Sequence, residues 1–335
     1  MSKYSFLVNL QLFSRNLLHN GMQRIIDPID RELIINELTP ERLLRKANKG
    51  DNEVYVVDAF NAPNTMKEIG RLREIAFRDA GGGTGKDCDI DEFDTMENPC
   101  RQLIVWDPND KEIVGGYRFI LGEDIKIKDN TPYIATSHMF GFSDKFTKEL
   151  LPNTLELGRS FVSIDYQSTK SHTKAIYVLD NLWDGLGALT VIYPQIKYLF
   201  GKVTMYPSFG KEARDILLGF LHKYFHDDQR LVWPLEELPS DALSEKIQGM
   251  FKGKDFREDY KLLNQTIRSL GRNIPPLVNA YMSLSPTMKV FGTAVNHEFG
   301  EVEETGIFFK ISEIFDEKKR RHIHSFSESD TLFIK

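Results

Sequence analysis

A short strand, a polar turn and a long amphipathic helix follow one another between residues 155 and 193, and this unit constrains the fold more than any other stretch. Gly158 interrupts the strand, which is typical of a β-bulge or of a close approach by a ligand to the main chain. The polar turn, residues 167–173, precedes apolar residues with helical spacing: Ile176, Leu179, Leu182, Leu186 and Leu189. Because free amide groups at a helix N-terminus bind anions, the unit predicts a phosphate-binding site at the turn.

Hairpins and helices alternate along the rest of the chain. Residues 102–106 and 113–121 are strand-like and flank the turn 107–110, whose sequence Asp-Pro-Asn-Asp is typical of a β-hairpin. Residues 290–294 and 307–311 predict a second pair of strands near the C-terminus. Because hairpins replace strict β-α-β units, the pattern predicts an α/β protein with a mixed sheet.

Periodicity and composition divide the chain into four segments. We predict an N-terminal helical extension at 1–50, a core at 51–226 and a helical insertion at 227–270. The segment 271–335 then supplies a helix and strands that complete the core, followed by a basic tail. These boundaries leave one main domain for the chemistry.

The N-terminal segment contains a helix-start signal. Thr39 is a suitable N-cap and Pro40 suits the first helical position, with Leu43 and Leu44 continuing the apolar face. Thr65 is the predicted cap of the next helix.

Charge and cysteine content exclude several classes of protein. The formal charge is −6, whereas nucleic-acid-binding domains are usually net basic, so we expect no nucleic-acid partner. Cys88 and Cys100 do not make a disulfide framework, and the chain opens without a signal-peptide pattern, which predicts a cytoplasmic protein. The basic run 318–322 leaves peripheral contact with the inner membrane open, although a solvated helix end is the simpler interpretation.

The glycine-rich stretch 81–86 and the aspartates after it imitate two ligand-binding motifs without completing either. A phosphate loop needs Ser or Thr after its Gly-Lys pair, and here Asp87 follows Lys86. A calcium loop counted from Asp87 needs glycine and glutamate where Glu92 and Asn98 stand. We therefore expect no metal at this site.

Six charged residues occupy positions that local structure would direct towards one cleft: Arg73, Asp91, Asp94, Arg118, Glu156 and Arg159. They fall on a helix, in the loop after the glycine run, on a hairpin strand and on the strand that contains Gly158. Two interpretations stay open at this point. The residues form a catalytic site, or they are ion pairs that hold the sheet to its helix.

Blocks of sequence around these residues resemble a known family. The blocks are residues 72–77, 91–94, 116–119 and 155–160, followed near the C-terminus by 275–281 and 297–300. Together they resemble the hemolysin-like group of GNAT-fold N-acyltransferases, which includes enzymes that acylate ornithine or glycine in aminolipid synthesis. They are similar in a more distant way to acyl-homoserine-lactone synthases. The resemblance covers roughly residues 52–226 and 271–315.

This resemblance implies a fold and a reaction. The fold is α/β, with a GNAT-like mixed, mostly antiparallel central sheet flanked by helices. The expected enzyme is an N-acyltransferase that moves a fatty acyl group, of the 3-hydroxyacyl type, from acyl carrier protein to the amine of a small amino acid such as glycine or ornithine. No cofactor is bound permanently, and acyl-CoA is the second choice of donor. The alternatives are a coenzyme-A-dependent N-acetyltransferase and a catalytically silent binding protein of the same fold.

The resemblance also assigns roles to the charged residues. Glu156 is the candidate general base, acting directly or through a water, although a structural carboxylate paired to Arg159 is an open alternative. The three arginines of the set would bind a carboxylate or organise the cleft, and its two aspartates would hold the loop or the amine. Backbone amides near Gly158 and Ser160 would polarise the thioester oxygen.

The turn after the strand departs from the superfamily pattern. Other members carry a glycine-rich phosphate cradle, Gln/Arg-x-x-Gly-x-Gly/Ala, whereas residues 167–174 contain no glycine. Side chains would then replace backbone amides around one phosphate, which suits phosphopantetheine better than the pyrophosphate of coenzyme A. The candidate donor-binding residues of the turn are Gln167, Lys170, Ser171, Thr173 and Lys174. His172 is an alternative base, although a surface histidine is the simpler interpretation.

Overall fold

An eight-stranded sheet runs through the structure of the chain, a computed structural model that describes residues 22–167 and 172–326 and, for residues 172–176, the backbone alone. Its strands are β1 Leu43–Lys46, β2 Glu53–Val57, β3 Arg101–Asp107, β4 Glu112–Leu121, β5 Thr154–Val162, β6 Tyr198–Met205, β7 Lys289–Asn296 and β8 Val302–Lys310. Two small strand pairs lie outside this sheet: Ile127–Lys128 with Thr131–Pro132, and Phe140–Phe142 with Val232–Pro234.

The spatial order of the strands is β1-β2-β3-β4-β5-β6-β8-β7. Neighbouring strands are antiparallel except β5 and β6, which run parallel. The predicted hairpin is confirmed as β3 and β4, and the predicted C-terminal pair as β7 and β8. The predicted α/β fold, with a mixed and mostly antiparallel central sheet, is therefore confirmed.

Helices flank the sheet. They are α1 Arg31–Glu37, α2 Pro63–Ala80, α3 Glu92–Thr95, α4 His172–Ile192, α5 Lys211–Phe225, α6 Glu245–Gln248, α7 Phe256–Ser269, α8 Pro276–Met282 and α9 Asp316–His322. None of the helices within the described residues is long and apolar enough to cross a membrane.

Two apolar layers hold the helices to opposite faces of the sheet. Leu182 on α4 belongs to the same buried cluster as Leu103 on β3 and Leu155 on β5. Gly185 permits close packing here, because a Cβ atom at this position would lie 2.8 Å from Leu103 Cδ1. The next residue along β3, Ile104, points to the other face and joins a second cluster with α2. Strands β4 and β5 contribute side chains to both clusters and are thus fixed from both sides.

The helical prediction for residues after Thr39 is wrong. Thr39 makes no side-chain cap bond, and Pro40 begins a single 3₁₀ turn. Leu43 and Leu44 lie in β1, the edge strand of the sheet, where Leu43 pairs with Tyr55. Leu44 is buried in the cluster beneath α4, so burial in the sheet overrides its helical spacing.

The predicted helix after residue 62 is confirmed, but Thr65 is not its cap. The helix α2 begins at Pro63, and Glu37 from α1 caps it instead. Glu37 accepts hydrogen bonds from the backbone N–H groups of Asn64 at 3.0 Å and Thr65 at 2.7 Å. A carboxylate at a helix N-terminus is stabilising because it meets unpaired N–H groups and the positive end of the helix dipole.

The segment 227–270 packs against the main domain. Its longest helix, α7, buries Leu263 and Ile267 in the same apolar cluster as α5. This stretch therefore contributes to the apolar core through its packing on α5.

Candidate active site

The parallel strands β5 and β6 separate in the middle of the sheet. Their pairing ends at Leu157 and Gly201, although both strands continue for several residues. On its other side β5 bulges opposite Tyr117, and Arg159 adopts a left-handed conformation with φ of 48°. The expected bulge is therefore present one residue beyond Gly158, and it leaves a gap between the two strands.

A cavity of about 110 Å³ occupies this gap, and we call it the strand cleft. The residues of its wall that bear on the chemistry are Gly158, Arg159, Ser160, Lys202, Tyr281 and Glu304. Main chain near the bulge therefore faces the cleft, as expected for amides that polarise a bound carbonyl group.

A second cavity of about 410 Å³ lies beside α3 and the loop before it, and we call it the loop cavity. Asp89, Asp91 and Asn296 contribute to its wall. Arg159 and Lys202 line this cavity as well as the strand cleft. Arg159 and Lys202 therefore lie at the junction of the strand cleft and the loop cavity.

Five of the six predicted charged residues converge in one ion-pair network. Arg73 Nη1 lies 3.4 Å from Asp94 Oδ2, and Arg118 Nη1 lies 2.6 Å from Asp91 and 3.3 Å from Asp94. Arg159 Nη2 lies 3.5 Å from Asp91. Although burial opposes it, the Arg118 and Arg159 guanidinium groups hold the pKa of Asp91 well below its usual value.

Burial separates the three arginines by what they can touch. The side chain of Arg73 is fully buried and that of Arg118 is 4% exposed, whereas that of Arg159 is 14% exposed and lines both cavities. Arg73 and Arg118 therefore hold Asp91 and Asp94 in position from the buried side of the network. Of the three, Arg159 is the arginine that lines both cavities and can contact an anion bound there.

Sequence reasoning did not assign Asp89 to the network. Arg159 Nε lies 2.9 Å from Asp89 Oδ2, and the Asp89 side chain is almost fully buried. Two aspartates of the apparent calcium motif, Asp89 and Asp91, thus pair with arginines. Within the described ranges, no three His, Cys, Asp or Glu side chains lie close enough together to hold a metal ion.

The spacing of Asp91 and Asp94 has a local cause. Asp91 caps α3 by accepting from the backbone N–H groups of Phe93 at 3.0 Å and Asp94 at 3.2 Å. Asp94 accepts in return from the N–H of Asp91 at 3.2 Å, which completes a capping box. The capping box therefore fixes the positions of both carboxylates through contacts within α3 and its cap.

Glu156 lies away from both cavity walls and from Arg159. Its side chain is buried, and its Oε1 accepts a hydrogen bond of 3.0 Å from the Thr136 hydroxyl. That hydroxyl accepts in turn from Lys202 Nζ at 3.3 Å. The open alternative of a Glu156–Arg159 pair is therefore wrong, and Glu156 reaches the junction only through Thr136 and Lys202. Its role as general base stays a prediction.

Two further site residues besides Asp89 were missed from the sequence, Lys202 and Glu304. Lys202 Nζ lies 3.2 Å from Glu304 Oε2, and Asn296 Nδ2 donates to Glu304 Oε1 at 3.3 Å. A lysine among the mostly apolar residues of strand β6 was the available signal for the first. Glu304 is 4% exposed and lies on the wall of the strand cleft.

Two tyrosine hydroxyl groups meet at the strand cleft. Tyr117 Oη and Tyr281 Oη are 3.3 Å apart, and both side chains line the cleft. Burial raises the pKa of both hydroxyl groups above the ordinary tyrosine value. Both are therefore protonated near neutral pH and can donate a hydrogen bond.

The predicted donor-binding residues divide into three groups. Gly158 and Ser160 line the strand cleft. Gln167 donates to the carbonyl oxygen of Val162 at 2.5 Å. Lys170 and Ser171 lie outside the described residues. Thr173 and Lys174 fall in the first turn of α4, and His172 begins it, but their side chains also lie outside the description.

Known proteins match both the whole chain and its centre. Residues 72–176 match the family model described as an acetyltransferase (GNAT) domain. A glycine N(alpha)-acyltransferase of Bacteroides thetaiotaomicron is 58% identical over 92% of each chain. A glycine N(alpha)-acyltransferase of Phocaeicola vulgatus is 56% identical over 91% of this chain and 94% of that protein.

The chain belongs to the GNAT N-acyltransferase family. The predicted family and the prediction of an acyltransferase are thereby confirmed. Among solved structures, a CoA-dependent acyl-homoserine lactone synthase, BjaI, matches this GNAT N-acyltransferase with a TM-score of 0.28 and 14% identity. That match covers 46% of this chain and 67% of the synthase.

Proposed function

We propose that this N-acyltransferase moves a fatty acyl group, of the 3-hydroxyacyl type, from the phosphopantetheine of an acyl carrier protein to the α-amine of glycine. The acceptor is supported by two relatives that bear the name glycine N(alpha)-acyltransferase and are 58% and 56% identical to this chain. The resulting product is an N-acyl amino acid.

The observation that carries the proposal is the junction of the two cavities at Arg159 and Lys202. A thioester in the strand cleft and an amino acid in the loop cavity would meet there. The two cations suit the α-carboxylate of the acceptor, because charge-assisted hydrogen bonds are the stronger ones. Holding both reactants in fixed positions converts their encounter into an effectively unimolecular step.

The reaction removes two protons from the acceptor nitrogen and supplies one to the departing sulfur. The acceptor ammonium group loses its first proton to a carboxylate, and the free amine attacks the thioester carbonyl carbon. The C–N bond forms, the attached nitrogen gives up its second proton, the C–S bond breaks, and the departing thiolate takes one proton, so that one proton in all is released. Amides near Gly158 and Ser160 would bind the transient oxyanion, and the Tyr281 hydroxyl group, on the wall of the same cleft, would donate to the sulfur.

We assign the base to Glu304. Its carboxylate lines the strand cleft, and Lys202 joins it to the loop cavity. Glu156 would act indirectly, by holding Lys202 in position through the Thr136 hydroxyl group. This assignment differs from the role that family resemblance gives to Glu156, and the two carboxylates can be tested separately.

We propose a carrier protein rather than coenzyme A as the source of the thioester, because the turn 167–174 contains no glycine to cradle a pyrophosphate. Peripheral membrane contact through the basic run 318–322 would bring the enzyme close to the destination of an N-acyl product.

The test uses the purified full chain with glycine and 3-hydroxyhexadecanoyl thioesters on carrier protein or on coenzyme A. We expect N-acylglycine by mass spectrometry, formed faster from the carrier protein. A marked preference for coenzyme A would contradict the assignment of a carrier protein as the donor. Formation of N-acetylglycine alone, from acetyl-CoA, would sink the fatty acyl assignment, and acylation of ornithine but not glycine would overturn the acceptor.

A further inference from the structure

We propose that the acyl chain of the donor runs from the strand cleft towards α9, and that Trp183 limits the chain length that the enzyme accepts. This inference rests on the proposed fatty acyl donor. It adds a hydrocarbon-binding site, formed by α4, β6 and α9, to the site that carries out the reaction.

A small third cavity, which we call the end cavity, continues the strand cleft. It has a volume of about 20 Å³ and lies between α4, β6 and α9. Leu199, Leu284, Ile314 and Lys318 contribute to its wall. Leu199 and Trp183 line both the end cavity and the strand cleft. The two spaces are therefore neighbours, with the indole ring between them.

The polarity of the walls gives the donor a direction. Arg159, Lys202 and Glu304 lie at the junction end of the strand cleft, where a thioester and an acceptor would need polar partners. The opposite end includes the apolar side chains of Leu277 and Phe309, and apolar side chains form most of the end cavity, whose wall also includes Lys318 and His322. A hydrocarbon chain gains free energy in such a space, whereas the amide groups of pantetheine would lose hydrogen bonds there.

Trp183 is held in place from two sides. Its ring packs edge-on against Tyr281 with centroids 5.9 Å apart and lies 6.5 Å from the ring of His322. His322 is itself fixed by Asp184, whose Oδ1 lies 2.8 Å from His322 Nδ1. The indole is therefore a firm wall, and the space behind it has room for about one water-sized group.

Removing the indole would join the two cavities and lengthen the apolar space. The test gives purified full-length enzyme glycine and an equimolar mixture of acyl thioesters that differ in chain length by two carbon atoms. For Trp183→Ala we expect the product distribution to move towards longer chains. The preference should change by about tenfold for each two carbon atoms, which is the effect of burying two more methylene groups. Trp183→Phe should give an intermediate shift.

Trp233→Ala is the matched control, because it makes the same chemical change at a partly buried tryptophan that lines neither the strand cleft nor the end cavity. Its product distribution should equal that of the wild type. If Trp183→Ala destabilises the fold, Leu284→Ala enlarges the end cavity from its far wall and should give a smaller shift in the same direction.

Unchanged chain-length preference in active Trp183→Ala and Leu284→Ala enzymes would overturn the proposal and leave the proposed function intact. Absence of product from every thioester with the wild-type enzyme would overturn the proposed function instead. In that case, thermal shifts with free fatty acids of graded length decide the inference. A longer optimum length in Trp183→Ala supports the channel, and identical length dependence overturns it.

Discussion

Lys202 and Glu304 face each other across neighbouring strands, with Lys202 Nζ 3.2 Å from Glu304 Oε2. In the antiparallel ladder, Lys202 pairs with Gly306 and Glu304 pairs with Thr204, so the two residues are diagonal neighbours on one face. The pair lies where the strand cleft meets the loop cavity. In the proposed reaction, the lysine would face the acceptor and the carboxylate would take its proton.

Glu304→Gln should abolish most of the activity without unfolding the protein. An amide has nearly the shape of the carboxylate but cannot accept the ammonium proton, and loss of a general base typically costs about a hundredfold or more in rate. The measurement is kcat/KM for N-acylglycine formation, together with a thermal melt. Glu301→Gln is the control, because Glu301 is exposed and lies in the turn directly before β8.

Glu156→Gln should reduce the rate less than Glu304→Gln. The carboxylate of Glu156 contacts the Thr136 hydroxyl group and not the wall of either cavity, so its loss acts through the position of Lys202. The comparison requires initial rates for both variants at saturating and limiting glycine. An inactive Glu156→Gln beside an active Glu304→Gln would return the base to Glu156.

Lys202→Met should weaken binding of the amino acid. A charge-assisted hydrogen bond to a carboxylate is worth about 1.5–3 kcal/mol, which corresponds to a rise of roughly tenfold to a hundredfold in the KM for glycine. Lys202→Arg should restore part of the loss because it keeps the charge. A KM for glycine that stays at the wild-type value in a folded Lys202→Met enzyme would show that the carboxylate binds elsewhere.

Local patterns predicted the elements around the site because each has a local cause. The hairpin turn at 107–110, the glycine beside the bulge and the capping residues Asp91 and Asp94 act within a few positions of one another. Lys202 and Glu304 meet only after β6 and β8 pair, about a hundred residues apart in the chain. Residues 43–46 were misassigned for the same reason, since pairing with β2 and burial under α4 decide their conformation.

Arg118→Met should lower the free energy of unfolding by more than the loss of a single contact would. The Arg118 side chain is 4% exposed and its guanidinium group forms ion pairs with Asp91 and Asp94, so its removal leaves these carboxylates without their partner. Breaking a buried pair in this way costs about 3–5 kcal/mol of unfolding free energy. Urea denaturation measures the loss. Lys126→Met is the control, because Lys126 pairs with Glu97 at the exposed surface and should change stability by about 0.5 kcal/mol or less.

The lowered pKa of Asp91 predicts how the stability of the fold depends on pH. Its pKa is lowered in the folded protein by Arg118 and Arg159 against the effect of burial, so the unfolded chain binds a proton more readily than the folded one. The stabilisation is complete at pH values above the unfolded-state pKa of about 3.9 and is lost as the pH falls through that value towards the folded-state pKa. Arg118→Met should move the acid-unfolding midpoint to higher pH, as followed by circular dichroism, because the remaining Asp91 carboxylate protonates earlier. In an Asp91→Asn protein this contribution is absent, and its stability should fall less steeply below pH of about 4. An Asp91→Asn protein with the same acid slope as the wild type would show that other carboxylates govern the transition.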